Sequence, residues 1–153
     1  MQFEDLNNLV HFNKNSQHLY SDAAEVVIDD DLKKYFFACS EDRKSFSEEL
    51  SVAMIKGGAT PDQSGTWDGA LRRTWLTIKG EVIENPEEQI ISDLQKREKA
   101  LIDTYSDFLE SNDVSQPVQL ILGKHLASFQ TVLRHLAEWK RIEKDTDLRL
   151  SGE

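Results

Sequence analysis

DDDLKKYFFACSEDRKSFSEELSVAMIKGG, residues 29–58, decides the fold class. The three aspartates at 29–31 offer a helix N-cap and an acidic first turn facing the positive end of the helix dipole. Leu32, Phe36, Cys39, Phe46, Leu50 and Ala53 then recur at helical spacing, and Gly57-Gly58 supplies a stop. A capped helix with one buried stripe is predicted, and that stripe is broken in its middle by Arg43.

Three other segments have the same character. Upstream, Phe3, Leu6, Val10, Tyr20, Ala24 and Val27 predict a helix from Phe3 to Val27. Downstream, Asn85-Pro86-Glu87-Glu88 reads as Asn cap, Pro at the first helical position and acidic first turn. Ile90, Leu94, Leu101, Tyr105 and Phe108 follow as its inner face. Ser115 is the expected cap of the last helix, with Pro117 in its first turn and a stripe of Val118, Leu122, Phe129, Val132, Leu136 and Trp139. Short links make each sequential pair an antiparallel hairpin. Between the pairs lies a long connection, Gly58 to Glu84, opening with the loop composition GGATPDQSG. Trp67, Leu71, Trp75 and Ile78 predict a short extra helix within it. The expected architecture is all-α: one domain over 1–153, a ferritin-like four-helix bundle whose long crossover leaves the second and third long helices parallel.

The stripes are interrupted at mid-helix. Asn13, Ser16 and Gln17 break the first, Arg43 the second and Glu98 the third, while His125 holds a seam position on the fourth with Ser128 and Gln130 nearby. Counted outward from the turns, these positions stand at one level. A polar layer of Arg43, Glu98, Gln17, Ser16, Gln130 and His125 is predicted. Its centre is an Arg43–Glu98 ion pair, because a buried charge left alone costs several kcal/mol.

Composition narrows the function classes. Lys and Arg number 18 against 28 Asp and Glu, a net charge of −10, which disfavours nucleic acid and anionic membranes as partners. No run approaches the roughly 18 apolar residues a membrane span needs. The opening MQFEDLNNLV has neither a basic nor an apolar leader region, so a cytoplasmic protein is expected. A lone cysteine, Cys39, excludes an internal disulfide, and its place on the stripe marks it as core.

Chemistry-bearing patterns are scarce. A di-metal bundle needs Glu-x-x-His motifs, yet the residues three before His11, His18, His125 and His135 are Asn8, Asn15, Leu122 and Val132. Arg43 also places a fixed cation where metals belong, so no metal or cofactor is expected. His18 with Asp22, and His135 with Glu138, read as solvated surface pairs at helical spacing. No nucleophile elbow or phosphate loop occurs. The Trp67, Leu71 and Trp75 face is the best place for a small apolar ligand.

Tyr20-x-x-Ala23-Ala24, Arg43-x-x-Phe46-x-x-x-Leu50, Gly58-x-x-Pro61, Ser64-Gly65, Gly69, Arg73-x-Trp75, and Glu98 followed by Tyr105 form an ordered series. It resembles the bacterial domain-of-unknown-function 2383 family of the ferritin-like superfamily, over about Leu6 to Trp139. The chain departs from that pattern at Asn15-Ser16, where Asp-Gly is frequent in the family. It departs again at Thr104, in an apolar position, and at Gln130, where His is frequent. The first and last departures remove potential ligands. The resemblance implies a ferritin-like fold, supplies no activity, and by analogy points to bacterial stress.

The expected function is therefore non-enzymatic binding or assembly with a protein partner or a second copy. Two alternatives stand beside it: a degenerate ferritin-like iron site using Glu98, Glu25 or His125, and a small apolar-ligand binder at Trp67 and Trp75.

Overall fold

The computed structural model describes residues 3–62, 67–80 and 86–151, with side chains described between 6 and 145. Five helices account for its regular structure, α1 (Phe3–Val26), α2 (Asp30–Lys56), α3 (Ala70–Gly80), α4 (Pro86–Ser111) and α5 (Gln116–Ser151), and no strand occurs among the described residues. The chain is all-α. The expected caps at Asn85 and the Ser64-Gly65 element lie outside the described residues, as do the side chain of Phe3 and the end of the connection at Glu84.

The boundaries follow from capping chemistry. Asp29 accepts the backbone N–H of Leu32 at 2.9 Å and opens α2. At the other end Gly58 donates to Ile55 and Ala59 donates to Met54, a Schellman closure that requires the left-handed φ of +87° at Gly58. The last carbonyls of α1 are met by lysines, Lys33 reaching Ala24 and Lys79 reaching Val26, where cations also suit the dipole. The backbone carbonyl of Ser115 accepts from Gln119, which places Ser115 at the start of α5. Helix α3 begins at Ala70 rather than at Trp67, because Gly69 (φ +67°) and Asp68 form its entry turn.

Residue pairings fix the helix directions. Between α1 and α2, Gln17 meets Ser40 and Ala24 meets Lys33, so the two are antiparallel. Between α1 and α4, Asn13 meets Tyr105, Tyr20 meets Glu98 and Ile28 meets Glu87, again antiparallel. Between α2 and α5, Tyr35 meets His135 and Glu49 meets Lys124. Helices α2 and α4 therefore run in the same direction. Helix α3 lies against the second half of α1 and the first turns of α4, anchored by the fully buried Trp75.

The apolar interior is divided. One cluster holds Tyr20, Phe36, Trp75, Leu94 and Leu136; the other holds Leu6, Leu50, Tyr105, Leu122 and Phe129. Among the buried polar side chains, Arg43, paired with Glu98, lies where the two meet, between Tyr20 of one cluster and Phe129 of the other.

Candidate functional site

Arg43 projects from the middle of α2 and Glu98 from the middle of α4. Their side chains are 0 % and 2 % exposed and meet in a bidentate pair, Nη1 to Oε1 at 2.6 Å and Nη2 to Oε2 at 2.8 Å. Such a pair is attractive only when the remaining polar atoms are also satisfied. Ser16 Oγ accepts from Arg43 Nη1 at 2.8 Å, and Tyr20 Oη donates to Glu98 Oε1 at 2.8 Å. The guanidinium also lies between two rings, 5.1 Å from the centroid of Tyr20 and 4.5 Å from that of Phe129, so its faces are covered by cation–π contacts. Arg43 Nε has no partner among the described residues. Burial opposes the charge on Arg43, but the carboxylate of Glu98 outweighs it and raises the guanidinium pKa. Burial, reinforced by Glu98, holds the Tyr20 hydroxyl well above its ordinary range.

A second network lies one to two turns away. Asn13 Nδ2 donates to the carbonyl of Leu9 at 2.9 Å and to Tyr105 Oη at 2.7 Å. Tyr105 Oη lies 2.8 Å from His125 Nδ1, and His125 Nε2 lies 3.2 Å from Glu49 Oε1. Lys124 Nζ donates to the other Glu49 oxygen at 2.8 Å. Burial pulls the His125 pKa down to about 4, so the ring is neutral near pH 7. A carboxylate can only accept, so Nε2 carries the proton and Nδ1 accepts from Tyr105. The hydrogen bonds then run in one direction, Asn13 to Tyr105 to His125 to Glu49. Although burial opposes it, bonding to Lys124 and His125 lowers the Glu49 pKa. Phe46 stacks on His125 with centroids 4.0 Å apart, and Phe129 joins the two networks by standing edge-on to Tyr105.

Of the six residues expected in one layer, Arg43, Glu98 and Ser16 meet directly. His125 belongs to the second network. Gln17 and Gln130 depart from the expectation. Adjacent residues of a helix are about 100° apart, so with Ser16 facing Arg43, Gln17 turns aside and only its carbonyl takes part, accepting from Ser40. Phe129 takes the inner position on α5 for the same reason, and Gln130 is exposed. Tyr20, Tyr105 and Glu49 complete the networks and were not foreseen as polar members; a buried tyrosine's need for a hydroxyl partner is the clue to the first two.

The surface pairs also rearrange. His18 stacks on Trp67 and Asp22 accepts from the Trp67 indole at 2.7 Å, so both hold that ring. His135 Nδ1 lies 2.7 Å from the Tyr35 hydroxyl, while Glu138 pairs with Arg141. The expected ligand face is split: Trp75 is sealed in the core with its indole on Asp93, Leu71 packs against the core, and Trp67 borders a cavity. Cys39 is buried, and burial pushes its thiol up to about 12.

The metals of a ferritin-like site do not fit these residues. Both Glu98 oxygens are held by Arg43, Glu25 pairs with Arg72 at the surface, and His125 is engaged at both nitrogens. Among the described residues no three His, Cys, Asp or Glu side chains converge as metal ligands do. Nor is any described helix long and apolar enough to cross a membrane.

No curated protein and no solved structure matches this chain. The family model described as "Domain of unknown function (DUF2383)" matches residues 1–111, from α1 through α4, and so takes in Ser16, Tyr20, Arg43, Glu98 and Tyr105, but not Phe129 or His125 of α5. The match covers well over half of the sequence, and the chain belongs to the DUF2383 family.

Proposed function

We propose that the chain is a non-enzymatic, ferritin-like four-helix bundle that works by assembly, as a cytoplasmic bacterial protein with a role in stress. The parallel course of α2 and α4 across a long connection supports the ferritin-like reading. The observation that carries the non-enzymatic reading is the Arg43–Glu98 pair, which ties the central carboxylate to a fixed cation where such bundles hold metals. The same reading makes 1–153 a single domain.

Assembly is supported by apolar surface at one end of the α2–α5 seam. Val52 is exposed there and lines a groove of about 350 Å³ with Ala53, Pro117, Val118 and Ile121, and Ile55 and Leu120 are exposed on the same turns of α2 and α5. Clustered exposed apolar groups mark interaction surfaces. A second copy is the proposed occupant, since a two-fold axis makes one patch complementary to itself. Light scattering coupled to gel filtration tests this. The wild type is expected above the 17.5 kDa of one chain, and Ile55→Glu with Leu120→Glu at that mass. A wild type that stays monomeric at high concentration overturns self-assembly.

A further inference from the structure

The seam between α1 and α4 is not filled along its whole length. Beside Trp67 it opens into a niche of about 100 Å³ whose walls include Phe12, Ser16, Leu19, Trp67, Arg97 and Leu101. The walls are held in place before any ligand arrives. Trp67 is stacked on His18, with centroids 5.9 Å apart, and its indole N–H is pinned by Asp22. Leu19 and Leu101 are core residues, and Ser16 is fixed by its bond from Arg43. A preformed site loses little freedom when it is occupied.

The rim has a distinctive charge. Arg97 is exposed and has no hydrogen-bond or ion-pair partner among the described residues, whereas Arg43, Arg72, Arg73, Arg134 and Arg141 each have one. Asn15 also lines the niche. On the other side of Phe12 a neighbouring groove of about 240 Å³ is lined by Asn8, Thr104 and Asp107 and no cation. In a chain of net charge −10, the niche beside Trp67 is thus a local exception, an aromatic wall with a guanidinium at its mouth that no described residue pairs.

We propose that this niche binds a small aryl carboxylate, with one ring against Trp67, Leu19 and Leu101 and the carboxylate on Arg97 and Asn15. At about 100 Å³ the niche is smaller than the closed cavity of about 150 Å³ that admits benzene, but it is open on one side, so one ring enters part-way with its polar end at the opening. Guanidinium and carboxylate match as a planar two-bond pair, and an indole face suits an aromatic ring. Nothing in this assignment depends on self-assembly.

Benzoate is the probe. Added to the full chain and followed by amide and indole ¹H–¹⁵N spectra, it should shift the Trp67 indole, identified through Trp67→Phe, and leave that of the buried Trp75 in place. Saturation is expected on the order of 1 mM for a ligand this small. Arg97→Gln should weaken benzoate about fivefold while leaving neutral benzyl alcohol unchanged, as a surface charge pair would. Ala100→Phe, at an exposed position lining the niche, should abolish the binding of both. No Trp67 shift at about 20 mM benzoate, far above that expected constant, overturns the site. An Arg97→Gln variant that leaves benzoate unchanged, or weakens both probes alike, overturns the carboxylate assignment. Arg97 has no partner among the described residues to lose, so that variant keeps the test valid even if Ala100→Phe fails to fold.

Discussion

Arg43 and Glu98 stand 55 residues apart in sequence and share two hydrogen bonds in the middle of the protein, with Phe129 packed 4.5 Å from the guanidinium carbon. The pair bridges α2 and α4, which run in the same direction, so it cross-links the two hairpins rather than the two helices of either one. Each charge is tolerable there only because the other is present.

Removing one member should therefore cost far more than removing both. Arg43→Met or Glu98→Leu alone is expected to destabilise by about 3–5 kcal/mol, because a buried charge is stranded. The double variant should cost much less than the sum, since both desolvation penalties disappear together. Urea unfolding of all four proteins gives the coupling energy directly. Small, additive effects would show that the pair is solvated in solution.

Acid should loosen the fold through His125. Its pKa is about 4 in the folded chain, against an ordinary 6.5, because burial disfavours the imidazolium. Between those values the unfolded chain binds a proton that the folded chain does not, so stability falls as pH drops from about 6.5 towards 4, by about 3 kcal/mol in all. Glu49 acts in the same direction lower down, since its depressed pKa gives stability that is lost as the carboxylate protonates. Melting temperatures at pH 7 and pH 5 should differ in the wild type, and the difference should shrink in His125→Gln. An equal acid shift in both would remove His125 from the account.

The four long helices, both ends of α2 and the start of α5 were legible because caps, glycines and 3.6-residue periodicity are local properties. The central pair was legible too, since Arg43 and Glu98 both break an apolar stripe and a buried charge demands a partner. The second network was legible only at Asn13 and His125, which also interrupt apolar stripes. Tyr20 of the first network and Tyr105 of the second read as apolar because their rings fill stripe positions and only their hydroxyls are polar. Glu49 sits on the outer edge of α2, and its link to His125 depends on the register between α2 and α5, which no local pattern encodes. Trp67 and Trp75 share a spacing but not a fate, because Gly69 turns the chain between them.

Gly58 gives a backbone test free of packing effects. Its φ of +87° closes the Schellman turn after α2, and a Cβ placed there meets nothing within 4 Å. Gly58→Ala is expected to destabilise by about 1–2 kcal/mol through left-handed strain alone. Gly57→Ala is the control: with φ at −83° a side chain is allowed, and the change should stay within about 0.5 kcal/mol. Equal effects at the two positions would contradict the assigned turn.

Helix α3 should depend on one residue for its attachment. At 11 residues it is too short to persist alone in water, so its stability must come from what it buries. That is chiefly Trp75, fully buried and bonded through its indole to Asp93 at 2.9 Å. Trp75→Ala is expected to cost about 3–5 kcal/mol and to open the connection between α2 and α4 to proteases. Trp75→Phe keeps most of the ring and loses the N–H. Asp93 still accepts from Gln89 and is partly exposed, so about 1–2 kcal/mol is expected there. Denaturant melts with limited proteolysis separate the outcomes. If cleavage between α2 and α4 were unchanged in Trp75→Ala, α3 would be held by its lysine and arginine contacts to α1 instead, through Lys79 on Val26 and Arg72 on Glu25.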